Sequence, residues 1–348
     1  MKKQIFVVIW LQMISWVCLA TASSGAQISY RHPHLRLITA VNIPTSFLTD
    51  ETVYADQQQV YLAGYNGRLY VLDRSRRGYP VRANLALSSR ALRSVRGDSA
   101  TIYVTSDDGN LYSIDKHKLE SSHASVYPRR TPVYRLGLES LYVGRRIIVS
   151  TGSAEMTADP HHVYVAALNA EPAFELSGQN SSVAATYEGS TLGTTSVYDQ
   201  DAQLLGTVLN PTDLLGRPSA VNLLSDGNAL YVTIPGCCGT GIAIYDARTL
   251  SFKEEIPLPY TNVVSVSGNW LVAGTESGTV DIFDLGDASQ GPVASINLRE
   301  ITGHTGPEDI EVRSIWVDWS KRLVFAASSW GNDTSRGPDL PSFFVLSF

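Results

Sequence analysis

A hairpin-like segment that recurs along the chain limits the folds that this sequence can adopt. In residues 101–115, two runs of β-branched and aromatic residues flank an Asp-Asp-Gly-Asn turn. Residues 60–73 and 270–284 repeat the pattern around Asn-Gly and Ser-Gly turns, and residues 230–246 repeat it with a longer turn. An Asx-Gly turn between such runs is a strong signal for an antiparallel hairpin. The chain is therefore predicted to consist of repeated hairpins.

The spacing of the hairpins predicts the fold. Their ends recur about every 45 residues, and periods of roughly 40–50 residues with several strands each are typical of propellers. Seven units fill the chain, although the unit at residues 181–208 is short and poorly patterned. Most strand runs are apolar at successive positions, as expected for sheets buried on both faces. Three units can be assigned strand by strand, at residues 92–95, 101–105, 110–115 and 124–127, at residues 221–224, 229–233, 241–245 and 251–256, and at residues 263–266, 270–273, 279–284 and 292–297.

The two ends of the chain supply a further argument. Residues 35–41 form a spare strand ahead of the first unit, and the last unit lacks an outer strand because the sequence stops at Phe348. Pairing the two would hide exposed sheet edges. We therefore expect an all-β fold: a single seven-bladed β-propeller of four-stranded antiparallel blades, closed by an N-terminal strand that completes the last blade.

The first 26 residues have the pattern of a secretory signal peptide. Lys2 and Lys3 precede an apolar run over residues 5–20, and small residues then allow cleavage near Ala22 or Ala26. The alternative is an uncleaved anchor, but the run is shorter than the roughly 20 apolar residues that a membrane span prefers. We expect residues 27–348 to form the propeller domain of a secreted or periplasmic protein, with a bacterial-type signal peptide and no membrane span after cleavage.

The charge of the chain excludes some classes of partner. The 27 basic and 33 acidic residues give a formal charge of −6, and removal of residues 1–26 would take away two lysines and no acids, so that the charge becomes −8. Such a balance argues against binding to nucleic acid and against adhesion to an anionic membrane surface.

Several hairpins resemble those of known propeller repeats. Residues 64–73 resemble the hairpin of pyrroloquinoline-quinone-like (PQQ-like) repeats, and residues 102–105 resemble YVTN-type repeats. Residues 272–285 are similar to a WD40 hairpin, but with Phe283 at the usual Trp position and without that family's Gly-His. The resemblance implies the propeller fold and no particular function, because propellers include enzymes, lectins and scaffolds.

Long loops predict the position of the binding surface. Residues 151–162, 234–241 and 328–341 are read as loops between the second and third strands of their units, and the connection 302–310 should join them on one face. Loops on a rigid scaffold often carry function. The alternative is that they are tolerated surface insertions.

Cys237 and Cys238 are adjacent in sequence and remain after the signal peptide, with Cys18, is removed. In an oxidising compartment they could form a vicinal disulfide, and the flanking Gly236 and Gly239 would ease the backbone geometry. The pair could be a redox switch, a flat surface for a ligand ring, or a structural staple. Quinone-dependent alcohol dehydrogenases resemble this chain in carrying such a pair, although their recurrent Trp pattern is missing here.

The remaining candidates are loop residues that could contact a partner. Trp330 could stack on a ligand, and Asn332 and Asp333 could offer oxygens to calcium, although no calcium-binding loop motif is present. Adjacent histidines rarely ligate one ion together, and no zinc motif is found. The candidate binding residues are Cys237, Cys238, Trp330, Asn332, Asp333, Arg336, His304, Glu308, Asp309, Glu155, His161 and His162.

We therefore expect a monomeric, non-catalytic binding protein that holds a protein or glycan partner on its loop-bearing face, without a metal or cofactor. The alternative is a periplasmic propeller enzyme, either a quinone-dependent oxidoreductase using PQQ or a metal-assisted hydrolase. A nucleophile or phosphate-binding motif that would favour an enzyme is absent from the sequence.

Overall fold

A computed structural model gives the fold of the chain. It describes residues 34–47, 51–120, 128–132, 138–143, 147–151, 154–158, 162–167, 173–177, 182–186, 194–199, 204–209, 222–233, 241–258, 260–303, 310–330 and 341–348. These residues form seven four-stranded antiparallel sheets, which we number in chain order.

The N-terminal strand β1 (Arg36–Val41) belongs to the last sheet. Sheet 1 contains β2 (Val53–Ala55), β3 (Gln59–Ala63), β4 (Arg68–Asp73) and β5 (Val81–Ala86), and sheet 2 contains β6 (Leu92–Gly97), β7 (Thr101–Ser106), β8 (Asn110–Asp115) and β9 (Arg129–Pro132). The next eight strands are β10 (Leu138–Val143), β11 (Ile147–Thr151), β12 (Ala154–Ala158), β13 (His162–Ala167), β14 (Ala173–Ser177), β15 (Ser182–Thr186), β16 (Thr194–Asp199) and β17 (Leu204–Leu209).

The C-terminal half continues the pattern. Sheet 5 contains β18 (Asn222–Ser225), β19 (Ala229–Thr233), β20 (Ile242–Asp246) and β21 (Phe252–Ile256), and sheet 6 contains β22 (Thr261–Ser267), β23 (Trp270–Thr275), β24 (Thr279–Asp284) and β25 (Ala294–Asn297). Sheet 7 contains β26 (Ile310–Asp318), β27 (Leu323–Trp330) and β28 (Phe343–Ser347), followed by β1 at its edge. Within the described residues the short helices are α1 (Lys116–Glu120), α2 (Leu298–Thr302) and a 3-10 helix at Ala288–Gln290.

The predicted pairing of the two chain ends is confirmed. β1 pairs antiparallel with β28, with Val41 opposite Phe343 and Arg36 opposite Ser347. The seam continues beyond the strands, because Ser342 Oγ donates a hydrogen bond of 2.8 Å to the carbonyl oxygen of Ile43 and accepts one of 3.2 Å from its N–H. The N-terminal strand thus serves as the outer strand of the last sheet.

The prediction of a loop at residues 151–162 is wrong. These residues were read as a loop, but they contain β12 and the start of β13. Sheets 3 and 4 are interleaved: sheet 3 contains β10, β11, β14 and β15, and sheet 4 contains β12, β13, β16 and β17. The prediction assumed that each sheet is completed before the next begins, which is the usual local arrangement. The poorly patterned unit at residues 181–208 therefore combines a strand of sheet 3 with two strands of sheet 4.

Two smaller assignments also change. The outer strand of sheet 2 is β9, which pairs with β8, whereas the predicted strand at residues 124–127 lies outside the described residues. Strand β27 extends to Trp330, which pairs with Ile310, so the first residues of the predicted loop 328–341 are strand. The predicted units in sheets 5 and 6 agree with the structure to within one or two residues at most strand ends.

The core lies between neighbouring sheets. All five residues of β3 are buried. Val60 and Leu62 pack in a cluster with Phe325 and Val345 of sheet 7, whereas Tyr61 and Ala63 pack with residues of sheet 2. Because successive side chains of a strand point to opposite faces, a strand covered on both sides must be apolar throughout. This explains the continuous apolar runs in the sequence.

The first strands of the sheets are neighbours in a cyclic order. β2 contacts β6, β6 contacts β10, β10 contacts β12, β12 contacts β18, β18 contacts β22, β22 contacts β26, and β26 contacts β2. Side chains support the last of these contacts, since the N–H of Val53 donates a hydrogen bond of 3.1 Å to Ser314 Oγ. Within the described residues, none of the helices has both the length and the apolar character needed to cross a membrane.

Candidate functional site

The two ends of each sheet carry different connections. Because neighbouring strands are antiparallel, the connection from the second to the third strand lies at the same end as the connection to the following sheet. We call this the loop end. The turn from the first to the second strand and the connection from the third to the fourth lie at the other end, which we call the turn end. The predicted binding surface belongs to the loop end.

Tight turns form the loop end of sheets 1, 2 and 6. Gly67, Gly109 and Gly278 have φ angles of 74°, 77° and 77°, a left-handed conformation that favours glycine. A Cβ atom at Gly67 would lie 2.1 Å from the carbonyl oxygen of Ser88, and one at Gly278 would lie 2.3 Å from Cγ2 of Ile310. At Gly67 and Gly278 glycine is therefore required both by its conformation and by the close approach of the chain that leads to the next sheet.

Longer connections leave the loop end of sheets 5 and 7. Thr233 of β19 pairs with Ile242 of β20, with residues 234–241 between them. Ala327 of β27 pairs with Phe343 of β28, with residues 328–342 between them. The strand pairing therefore gives the points from which two of the predicted loops leave their sheets.

Most of the predicted site residues lie outside the described part of the chain. Those outside it are Cys237, Cys238, His161, His304, Glu308, Asp309, Asn332, Asp333 and Arg336. Glu155 is in β12, His162 begins β13 and Trp330 ends β27, so these three are strand residues and not loop residues as predicted. The vicinal disulfide and the convergence of these residues on one surface stay predictions.

The described part of the loop end contains a depression of about 300 Å³ between sheets 1 and 2. Ser88 and Asp108 line it from two connections, and Tyr112 and Arg130 line it from β8 and β9. Ser88 Oγ donates a hydrogen bond of 2.8 Å to Asp108 Oδ2, and the Tyr112 hydroxyl donates one of 2.5 Å to the same oxygen. The carboxylate is thus fixed from both sides.

The electrostatics of this depression favour hydrogen bonding over proton transfer. Burial would raise the pKa of Asp108, but hydrogen bonds from Tyr112, Asn110 and Ser88 outweigh it and lower the pKa below its ordinary value. Burial and the hydrogen bond to Asp108 raise the pKa of Tyr112 to about 12. At neutral pH the acid is therefore charged and the phenol is protonated, which maintains the hydrogen bond between them.

Asp107, the residue before Asp108, forms an ion pair with an arginine. Arg93 of β6 forms a two-point ion pair with Asp107, with Nε 2.8 Å from Oδ1 and Nη2 3.0 Å from Oδ2. Within the residues that the structure describes, no group of three His, Cys, Asp or Glu side chains is placed to hold a metal ion. The described loop end thus offers paired charges and fixed hydrogen-bonding groups.

The sequence did not indicate this depression. In the sequence the hairpin at residues 101–115 shows only a turn pattern, yet its Asp108 forms one wall. The signal is weak because the partner Ser88 lies 20 residues away in the connection from sheet 1. An Asp in an Asx-Gly turn looks the same in the sequence whether or not a second connection packs against it.

No protein-family model matches the sequence, and no curated protein matches it either. The fold itself is common among solved structures, since 1391 chains match. One of them is the crystal structure of the computationally designed protein Ika8, which matches with a TM-score of 0.56 and 12% identity over 90% of this chain and 100% of that chain. At that identity the likeness concerns the fold alone.

Proposed function

We propose that the chain is an exported seven-bladed β-propeller that acts as a non-catalytic binding protein. The architecture is supported by the seven four-stranded sheets of the described residues and by the cyclic order of their first strands. Propellers present loops from several blades on one face, which suits them to holding a partner. Export is inferred from the signal-like residues 1–26.

The binding surface in this proposal is the loop end, and the partner is a protein or a glycan. One observation carries it: the connections 234–241 and 328–342 leave paired strands at the end where sheets 1, 2 and 6 have tight turns. The same end holds the depression lined by Ser88, Asp108 and Arg130. Added chain at one end of otherwise compact hairpins is expected where a partner is contacted.

Shortening the loops tests the proposal. One variant replaces residues 234–241 with Asn-Gly, the turn that best connects two paired strands, and a second replaces residues 331–340 with Gly-Ser-Gly. Wild type and variants are compared by glycan-array binding and by affinity capture of extracellular proteins. We expect the two variants to lose the glycan or protein that the wild type retains, with melting temperatures close to that of the wild type.

Arg76→Ala is the matched control, because Arg76 is exposed at the turn end and pairs only at the surface with Asp73. It should bind as the wild type does. Retention of the same partner by both loop-shortened variants would contradict the proposed surface. Turnover of a substrate by the purified protein would contradict the non-catalytic role.

A further inference from the structure

The charge of the chain is divided unevenly along the sequence. Residues 51–132, which include sheets 1 and 2, contain 12 basic and 8 acidic residues and carry a net charge of +4. Residues 133–348 contain 11 basic and 24 acidic residues and carry −13. An asymmetry of this kind within one chain indicates a surface for a charged partner. Sheets 1 and 2 are therefore the part of this acidic molecule that would attract an anion.

The acidic residues at the depression between sheets 1 and 2 are already engaged within the protein. Asp107 forms its two-point ion pair with Arg93. Asp108 accepts two hydroxyl hydrogen bonds at Oδ2, and its Oδ1 accepts one of 3.1 Å from the N–H of Asn110. Both carboxylates are thus occupied by donors that belong to the protein.

Three arginines around the same depression have no acidic partner in the described part of the chain. Arg130 lines the depression from β9, and Arg90 lies two residues after Ser88 in the connection from sheet 1. Arg68 begins β4, and its Nε donates a hydrogen bond of 2.6 Å to the neutral amide of Asn84. None of the described carboxylates forms an ion pair with these three guanidinium groups. This part of the loop end therefore carries positive charge that the described residues do not neutralise.

The lining of the depression combines a cation with hydroxyl and apolar groups. The exposed guanidinium of Arg130 offers a planar fork of N–H donors, which matches a carboxylate or a sulfate. The hydroxyl of the exposed Ser89 can donate and accept hydrogen bonds. Ala86 and Leu87 add apolar surface. An acidic sugar ring has the complementary groups, namely an anion, hydroxyls and a face of C–H groups.

The acidic remainder of the chain limits the kind of anion that can approach. An extended anionic surface, such as a bilayer or a nucleic-acid duplex, would meet much of the protein and be repelled by residues 133–348. A glycan strand touches only one sector of the surface. Exposed charges separated by more than roughly 8 Å are largely screened from one another at physiological ionic strength. A narrow acidic strand at sheets 1 and 2 is therefore tolerated by the acidic part of the molecule.

We infer that the depression between sheets 1 and 2 binds an acidic glycan, with Arg130 pairing with a uronate or sulfate group. Arg90 pairs with a neighbouring acidic group of the same strand. Ser89 bonds a sugar hydroxyl, and Ala86 and Leu87 contact the C–H face of the ring. The inference rests on the proposed function, in which the loop end is the partner surface, and it names acidic glycans as the partner class.

The inference is tested by calorimetry with the full chain. Oligogalacturonate and oligomannuronate are the uronate probes, heparin and dextran sulfate are the sulfated probes, and dextran and polyglutamate are the neutral and the polypeptide comparisons. We expect one or more of the acidic glycans to bind, with lower affinity at high salt because salt screens exposed charges. Dextran should not bind, and polyglutamate should bind more weakly than the acidic glycan.

Arg130→Gln and Arg90→Gln locate the site. Arg248→Gln is the matched control, because Arg248 is exposed in the turn after β20 and its replacement changes the net charge equally. Each of the first two variants should weaken glycan binding about fivefold, as expected for the loss of one exposed ion pair. The double variant should weaken it by more than about tenfold. Melting temperatures should stay close to that of the wild type, and Arg248→Gln should bind as the wild type does.

Several results would overturn the inference. The first is the absence of binding by every acidic glycan of the panel. The second is unchanged glycan affinity in the double variant. Equal weakening by Arg248→Gln would show a general effect of net charge and no site at the depression. Tighter binding of polyglutamate than of any glycan would make the partner an acidic polypeptide, and the assignment of a glycan would be wrong.

The loop-shortened variants separate this inference from the proposed function. Loss of the acidic glycan in the double arginine variant, with retention in both loop-shortened variants, would support the inference and contradict the role of the longer connections. Absence of acidic-glycan binding by the wild type, with another partner lost in the loop-shortened variants, would overturn the inference and leave the proposed surface standing.

Discussion

Aspartates at the turn end occupy the same position in three sheets. In Asp56, Asp98 and Asp226, one carboxylate oxygen accepts hydrogen bonds from the backbone N–H groups two and three residues later. The other oxygen accepts one from a tyrosine hydroxyl five residues later. An Asp that hydrogen-bonds the backbone two residues on stabilises a turn. These residues therefore shape the turns, and their oxygens are used for that purpose.

Basic residues that directly follow a third strand link neighbouring sheets. Arg74 follows β4 and pairs with Asp318 of sheet 7, and Lys116 follows β8 and pairs with Asp56 of sheet 1. The Arg74 side chain is 5% exposed and that of Asp318 is 15% exposed. The guanidinium carbon of Arg74 also lies 4.9 Å from the centre of the Phe325 ring. Each cation thus joins its own sheet to the preceding one in the cyclic order.

Removing one partner of the Arg74–Asp318 pair should destabilise the protein. Asp318→Asn leaves a nearly buried guanidinium without its counter-charge, and breaking a buried pair in this way costs about 3–5 kcal/mol. The double variant Arg74→Met/Asp318→Asn should recover part of the loss. The measurement is the free energy of unfolding in urea. Equal stability of wild type and Asp318→Asn would show that the pair contributes nothing.

The same pair predicts how stability depends on pH. Burial alone would raise the pKa of Asp318, but hydrogen bonds from Ser320, Arg74 and Lys321 and the charge of Arg74 lower it to about 2 from an ordinary value of 3.8. A depressed folded-state pKa stabilises the fold above the unfolded pKa, and this stability is lost as the pH falls through the folded value. Between pH 5 and about 2, the wild type should therefore lose more stability than Asp318→Asn. Parallel acid curves for the two proteins would contradict the assignment.

At the level of elements, the hairpins could be predicted because their signals are local. The glycines of the repeated turns have left-handed φ angles, and β19, β20, β23 and β24 lie where the sequence places them. The division of strands between sheets 3 and 4 could not be predicted, because β11 pairs with β14 and β13 pairs with β16, each across two intervening strands. The same limitation applies to the ion pair between Lys116 and Asp56: the two residues are 60 residues apart in the chain, and neither has a local pattern that indicates the other.

A pair of glycines tests the packing of connections at the loop end. Gly278 and Gly268 both have positive φ angles, of 77° and 58°. A Cβ at Gly278 would lie 2.3 Å from Ile310 Cγ2 and 2.8 Å from the Ile310 carbonyl oxygen, whereas one at Gly268 meets nothing within 4 Å. Gly268→Ala should therefore cost only about 1–2 kcal/mol of backbone strain, and Gly278→Ala should cost more.

The difference between these two variants measures the steric contribution of the next sheet. The unfolding free energy of each is compared with that of the wild type, and we expect Gly278→Ala to be about 2 kcal/mol less stable than Gly268→Ala, as for other overpacked sites. Equal destabilisation would mean that Ile310 moves away without cost and that the turn does not press on β26.

For the whole molecule, the two ends of the sheets have different surfaces. The loop end has the longer connections of sheets 5 and 7, and the turn end has a cleft between sheets 1 and 2. Both ends depend on the packing between neighbouring sheets, and among the described side chains sheets 1, 5, 6 and 7 each pack against a neighbour on both faces.

The proposed closed propeller depends most on the pairing of the two chain ends. Thr39 of β1 is directly opposite Val345 of β28, so a Thr39→Cys/Val345→Cys variant places two thiols across the seam. The variant is made in a chain whose native cysteines are replaced by serine. Thr39→Cys/Phe343→Cys is the control, because Phe343 lies opposite Val41 and not Thr39.

The most direct measurement is the fraction of each variant that forms the disulfide under mild oxidation, determined by mass spectrometry of the intact monomer. The unfolding free energy of each variant is measured as well. We expect nearly complete bridging of the Thr39→Cys/Val345→Cys pair and little in the control. A bridge that closes a loop of this length should stabilise the fold by about 5 kcal/mol. Absence of the bridge, or equal bridging in both variants, would contradict a ring closed by the N-terminal strand.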